Sequence, residues 1–341
     1  MRRTFLLVLL VVPALVQATG CRRRTGLTGD GRSAEATDGA GGGGIPTPTG
    51  GPSPTGGAGG GRPEALAWAR WPMPNPSTAG LPNPQSYDTT TPGVVVDNVT
   101  GLAWQRARSA DAMLWKDARA ACADLVLGGH DDWRLPGLIE LVSIVDFTRQ
   151  VPALDGNAFS DATGANFWSA TPLVGSAGTE DWYLAFSTGF TYHGHGDMLS
   201  LQVRCVRDSR PTSGVTSSSA AAQYSFPAEG MVLDTRTGLT WQRTIGPETY
   251  AWSDALSHCA ALSLGGLTWR LPSMKELQTL LDLGRQNPAL DPVAFPGAPS
   301  NEHWTSSPLT SSSSDSWYVN FWFGITNTLA RTSQTWARCV H

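Results

Sequence analysis

The sequence predicts an α+β protein made of two tandem domains of one design, each with two helices, irregular antiparallel strands and one disulfide. Three observations lead there. The tetrapeptide WRLP stands at 133–136 and again at 269–272, and the match between the two halves runs far beyond it. Helical spacing and strand alternation follow in the same order in both halves. Of five cysteines, four fall as one early and one late member of each half.

The correspondence is ordered along the chain. VVDNVTGLAWQR at 95–106 answers VLDTRTGLTWQR at 232–243, and Trp115, Ala118 and Cys122 answer Trp252, Ala255 and Cys259. VPALDGNAF at 151–159 answers NPALDPVAF at 287–295, and Phe167-Trp168-Ser169 answers His303-Trp304-Thr305. Asp181-Trp182-Tyr183 answers Ser316-Trp317-Tyr318, and Arg204-Cys205-Val206 answers Arg338-Cys339-Val340. A unit of this length can bury its own core, so the pattern is a duplicated domain and not a solenoid. The expected domains are 91–208 and 228–341, joined by a Ser-, Ala- and Thr-rich linker at 209–227. With no interface between them they would move as two beads on a tether.

Residues 1–20 read as a lipoprotein signal peptide. Arg2 and Arg3 precede an apolar run too short to cross a bilayer, and Ala18-Thr19-Gly20-Cys21 resembles a lipobox. Cys21 would then carry several acyl chains, enough for stable anchoring without a membrane-spanning helix. Arg22, not Asp, follows that cysteine, which is compatible with passage to an outer membrane. Residues 21–90 are dominated by Gly, Pro, Ser and Thr and predict a disordered stalk.

Within each domain the elements follow from local chemistry. Asp97 and Asp234 precede the turns at Thr100-Gly101 and Thr237-Gly238, where a short side chain can bond the backbone, giving a β-hairpin. Trp115, Ala118, Cys122 and Leu125, like Trp252, Ala255, Cys259 and Leu262, make one apolar helical stripe. WRLP then leads into a second helix: Ser273-Met274-Lys275-Glu276 is a capping box, and in the first domain Gly137 replaces the serine while Glu140 remains. Glu140 and Glu276 are accordingly expected as caps, and Arg134 and Arg270 as partners of a local carboxylate. WYLAFSTGF and WYVNFWFGI supply strands. Pairing the early and late cysteine of each half gives Cys122–Cys205 and Cys259–Cys339, each closing a loop worth on the order of 4 kcal/mol in the chain-entropy model.

The combination TGLxWQR, WxxAxxxC, WRLPxxxEL, FWS or HWT, and a closing RCV resembles the bacterial family named for the C-terminal domain of the Legionella collagen-like adhesin, over nearly all of both halves. The resemblance implies a C-type lectin-like fold and a surface-attached binding domain, with sulfated glycans as the ligand of the naming protein. Charge departs from that ligand class. The 91–208 half has 8 Lys and Arg against 14 Asp and Glu, the 228–341 half 7 against 9. Such acidic domains argue against a polyanion, and against nucleic acid as a partner.

The expected function is a lipid-anchored protein of the cell envelope, in the outer membrane or at the cell surface, that binds a glycan or a protein and catalyses nothing. The alternatives are a structural envelope component, or an enzyme related to formylglycine-generating sulfatase-modifying factors, whose fold and R-L-P entry are similar. With the late cysteines committed to disulfides, a reactive dithiol has no candidates. No catalytic residue, cofactor or metal is expected: His193-Gly-His195-Gly-Asp197 reads as a solvated loop, and the residues by which many C-type lectins hold calcium are lacking.

Ten of the fourteen tryptophans are paired between the halves and read as core. Trp322 and Trp336 instead correspond to Ser187 and Gln202, so they are expected to face outward. Alternation puts Tyr318, Asn320 and Trp322 opposite the apolar face of Trp317, Val319, Phe321 and Phe323, and Trp336 and Arg338 opposite Cys339. If these strands are neighbours, Tyr318, Trp322 and Trp336 form an aromatic patch with Asn320 to orient a ligand.

Overall fold

The computed structural model describes residues 69–161, 163–209 and 223–341. The expected signal peptide at 1–20, the lipidated Cys21, the stalk up to residue 68 and most of the linker lie outside the described residues.

The first repeat runs β1 (Tyr87–Asp88), β2 (Val94–Asp97), β3 (Leu102–Gln105), α1 (Trp115–Ala123), α2 (Leu138–Ser143), β4 (Asn166–Pro172), β5 (Glu180–Ala185), β6 (Phe190–His195) and β7 (Val206–Asp208). The second runs β8 (Tyr224–Ser225), β9 (Met231–Asp234), β10 (Thr240–Gln242), α3 (Trp252–Ala261), α4 (Met274–Gln278), β11 (Glu302–Pro308), β12 (Asp315–Asn320) and β13 (Ile325–Ala330). Each repeat therefore holds two helices, a small hairpin sheet (β1-β2-β3-β7 or β10-β9-β8) and a meander (β4-β5-β6 or β11-β12-β13). Val340 bridges Trp241 and Arg270 where β7 stands in the first repeat. The fold is α+β, with one disulfide per repeat: Cys122–Cys205 and Cys259–Cys339.

The hairpin turns form as their aspartates predict. Val99 N–H donates to Asp97 Oδ1 and Arg236 N–H to Asp234 Oδ1, both at 2.9 Å. Gly101 and Gly238 sit at φ of 74° and 76°, where a Cβ is disfavoured.

WRLP joins three elements. The arginine backbone exchanges hydrogen bonds with the last strand, Arg134 with Val206 and Arg270 with Val340, all at 2.9 Å. Its guanidinium forks onto the glutamate of the next helix: Arg134 to Glu140 at 2.6 and 2.7 Å, Arg270 to Glu276 at 2.7 Å twice. The same glutamates accept the Gly137 and Ser273 N–H groups at 2.7 and 2.8 Å, satisfying donors at the helix start. The leading tryptophans donate their indole N–H to Leu127 and Leu264 carbonyls. Glu140 and Glu276 are thus structural anchors, with every strong contact directed into the scaffold.

The two anchors differ in exposure. The Arg134 side chain is 9% exposed and that of Arg270 36%. Glu140→Gln leaves a more deeply buried guanidinium with only Asp208, 3.7 Å away, as its carboxylate partner, so it is expected to cost roughly 2–3 kcal/mol, against about 1 kcal/mol for Glu276→Gln, where water screens the pair. Urea unfolding of both variants checks the ranking, and equal losses would refute it.

The two-bead expectation does not hold for the described residues. One core cluster takes side chains from both repeats, among them Val95, Trp104, Leu141, Phe147, Trp182, Trp241, Leu277 and Trp317. Phe147 meets Trp317 edge-on at 5.1 Å, and Phe190 lies 4.7 Å from the same indole. Thr191 on β6 and Thr326 on β13 occupy matching positions. Each backbone N–H donates to the other's Oγ1, at 3.0 and 3.1 Å, and both residues are buried. A residue contacting its own equivalent is the signature of a self-complementary, two-fold-like interface, here between two halves of one chain. Apolar faces that look like two separate cores in the sequence are two halves of one. Two satellite clusters, one around each disulfide, flank it.

The expected end of the stalk needs correction too. Residues 69–90 are built into the fold: Ala69, Trp71 and Met73 are buried in the shared core, and Asn75 is 2% exposed. Asn75 N–H donates to Asn83 O and its side chain to Pro82 O, closing a loop. Trp71 and Met73 give this segment apolar area that its Pro- and Gly-rich surroundings mask in a composition count. The short strands β1 and β8, ahead of residues 91 and 228, each place a half-buried tyrosine on an aromatic partner, Tyr87 on Phe159 and Tyr224 on Phe295.

Candidate functional site

The predicted patch is taken apart by strand order. Trp317, Val319 and Phe321 face the shared core as alternation requires. On the other face Tyr318 is half-buried against the satellite cluster around Cys259–Cys339. Asn320 is committed twice, its Nδ2 donating to Glu302 Oε1 at 3.0 Å and its Oδ1 accepting the Trp322 N–H at 2.8 Å. Trp322 stands in the turn between β12 and β13, 46% exposed. Trp336 is half-buried and pairs with β11, donating to Glu302 O and accepting from Trp304 N–H. β11 therefore lies between Trp336 and β12, and the assumption of neighbouring strands fails. Arg338, expected outward, is 1% exposed and donates to the Gln242 and Arg243 carbonyls over the Phe295 ring. Of the four patch residues only Trp322 presents a largely free ring.

Of the paired tryptophans, Trp104, Trp133, Trp168, Trp182, Trp241, Trp269, Trp304 and Trp317 are buried as expected. Trp115 and Trp252, which open the first helix of each repeat, are half-buried. Their indole N–H groups donate to Ser169 and Thr305 carbonyls at 2.7 and 2.8 Å, fixing the rings against the meander.

Two hollows open beside these elements. The larger, about 400 Å³, lies where the 69–85 segment crosses the second repeat, lined by Asn75, Leu81, Phe147, Ser273, Lys275 and Ser307 among others. Lys275 is 1% exposed and donates to Pro74 O at 2.6 Å and Ser143 O at 2.8 Å. Burial pushes its pKa down to about 7, against the opposing fields of Asp97 and Asp146. The first repeat has Ile139 at this position, so sequence comparison shows the exchange without showing that the ammonium pins the N-terminal segment across the seam. Because the folded pKa lies below the ordinary lysine value, the unfolded chain holds the extra proton between pH 7 and about 10. The lysine's contribution to stability therefore improves as pH rises through that window, and its burial penalty is full below pH 7. Melting temperatures of wild type and Lys275→Met from pH 6 to pH 9 are expected to shift relatively toward wild type. A pH-independent difference would mean that the amine titrates normally.

The smaller hollow, about 280 Å³, belongs to the first repeat and is lined by Trp115, Lys116, Gly178, Thr179, Asp181, His195, Gly196 and Asp197. His193 Nδ1 lies 2.5 Å from Glu180 Oε2, and His195 Nε2 lies 3.7 Å from the other oxygen of the same carboxylate. Among the described residues no three His, Cys, Asp or Glu side chains gather as a metal site.

The protein-family model described as Lcl C-terminal domain matches residues 93–207 and 230–341, once in each repeat. No curated protein matches the chain.

Proposed function

The chain belongs to the Lcl C-terminal domain family, with one member in each half, and on that basis we propose that it is a lipid-anchored envelope protein whose paired domains form a non-catalytic surface module binding a glycan or a protein. The C-type lectin-like arrangement is part of this reading. It is supported by the W-x-x-A-x-x-x-C helix, α1 or α3, tied by its cysteine to the segment entering the last strand. The observation that carries the binding role is Trp322, a large ring held out on a turn whose flanks are fixed by hydrogen bonds from Trp322 N–H to Asn320 and from Asn287 N–H to Trp322 O. An aromatic ring on a rigid turn offers contact area at little entropic cost. All four cysteines of the two domains are disulfide-bonded, which favours binding over dithiol chemistry.

A fragment covering 69–341, which keeps the buried N-terminal segment, is to be screened against glycan arrays and whole cell surfaces. Trp322→Ala is expected to remove the binding found while leaving the melting temperature within a degree or two, because the ring is exposed. Trp336→Ala, half-buried, is expected to lower the melting temperature. Binding that survives Trp322→Ala would move the site elsewhere. For the anchor, metabolic labelling with a palmitate analogue is expected to mark wild type and spare Cys21→Ser; equal labelling would rule it out.

A further inference from the structure

The duplicated fold supplies its own comparison at the mouth of α1. Trp115 N–H donates to Gly196 O, and Trp252 N–H donates to Arg331 O, so Gly196 and Arg331 hold the same place in the two repeats. In the second repeat Arg331 fills the space beside its tryptophan. Its guanidinium lies over the Trp252 ring at 4.2 Å, and its Nε donates to Ser316 Oγ at 2.9 Å. In the first repeat both partners are exchanged together: Gly196 removes the arginine, and Asp181 replaces Ser316. What remains is the 280 Å³ hollow beside Trp115.

Asp181 is 6% exposed and lines this hollow, and its carboxylate has neither a hydrogen bond nor an ion pair among the described residues. Burial raises its pKa to about 6, so it is anionic at neutral pH. A buried carboxylate without a partner is costly unless something pairs with it. Two cations stand near. Arg119 lies 5.0 Å over the Trp115 ring but does not line the hollow, and it acts on Asp181 only through its field. Lys116 lines the wall and is exposed, as are His195 and Asp197.

We propose that the hollow bounded by Trp115, Asp181 and Gly196 is a binding site for the guanidinium group of an arginine side chain presented by another protein or peptide. The second repeat carries that group in cis; in the first a carboxylate reaches into the space beside Gly196, and the hollow in front of it is left for a group from outside. Asp181 gives the charge-assisted hydrogen bonds, and Trp115, whose ring already carries Arg119 at 5.0 Å, gives the hollow an aromatic wall. The acidic excess of the first repeat attracts such a partner over distance. This site is separate from Trp322 and stands or falls independently of it.

The test is titration of the full chain with Nα-acetyl-L-arginine amide, following the tryptophan indole N–H resonances, with Nα-acetyl-L-citrulline amide as the neutral isostere. A saturable shift of the Trp115 resonance is expected with the arginine probe and not with citrulline. Asp181→Asn is expected to weaken binding by about tenfold or more, and the pair Asp181→Ser with Gly196→Arg, which grafts the second repeat's own plug, to abolish it. Should the graft fail to fold, the isosteric Asp181→Asn decides alone. No saturable shift, an equal shift with citrulline, or binding unchanged in Asp181→Asn would overturn the proposal. So would a response that appears only in Arg119→Ala, because Arg119 would then be the natural occupant.

Discussion

Trp317→Ala is expected to destabilise the whole described unit, and not the second repeat alone, by roughly 3–5 kcal/mol. The indole is 1% exposed in the shared core, and its nearest aromatic neighbours, Phe147 and Phe190, both come from the first repeat. Truncation removes those contacts and leaves a cavity at the seam. Among the described residues the indole N–H has no hydrogen-bond partner, so the loss is one of packing and area and no polar bond is broken. Thr191 and Thr326 sit beside this region with mutually satisfied N–H groups, and separating the repeats would expose both pairs. Wild type should therefore unfold in one cooperative calorimetric transition, and Trp317→Ala should shift that single transition downward. Two transitions in wild type, with only one moved by the substitution, would show that the halves unfold separately.

What the sequence reveals and what it conceals divide along a physical line. A duplicated pattern states which positions are equivalent, so the cysteine pairs, the aspartate turns and the glutamate caps could all be read from residues close in sequence or repeated in both halves, while the forking of each arginine onto the capping glutamate came from the fold. Burial pattern states that Trp317 or Phe147 is inside, and nothing about which half it is inside with. Thr191 and Thr326 look like ordinary strand threonines, although their equivalence is what lets them meet. The aromatic patch failed for a related reason: alternation assigns a face within one strand, while the order of strands is set by long-range pairing, and β11 separates Trp336 from β12. Residues 69–90 were hidden by composition, because Ala69, Trp71 and Met73 are few among glycines and prolines yet all reach the core. The hollow at Trp115 did have a sequence signal. Gly196 against Arg331 and Asp181 against Ser316 are unlike pairs in a matched frame, but only the fold shows that the two exchanges touch.

The second large effect concerns the disulfides. Replacing both cysteines of either bridge with serine is expected to cost about 4 kcal/mol, since loops spanning 83 and 80 residues are released in the unfolded chain. The four cysteines are 0–3% exposed and sit at the centres of the satellite clusters, between α1 or α3 and the segment entering the last strand. A reductant therefore reaches the sulfurs only after a cluster opens. Because the central core joins the repeats, that opening is coupled to the unfolding measured for Trp317→Ala. Dithiothreitol is then expected to reduce the native protein no faster than it unfolds, and reduction of the Trp317→Ala variant should accelerate at both bridges, the distant Cys122–Cys205 included. Mass mapping of alkylated cysteines over time separates the outcomes. If Cys259–Cys339 accelerates while Cys122–Cys205 stays at the wild-type rate, each satellite cluster opens on its own, and the seam at Thr191 and Thr326 does not transmit stability between the repeats.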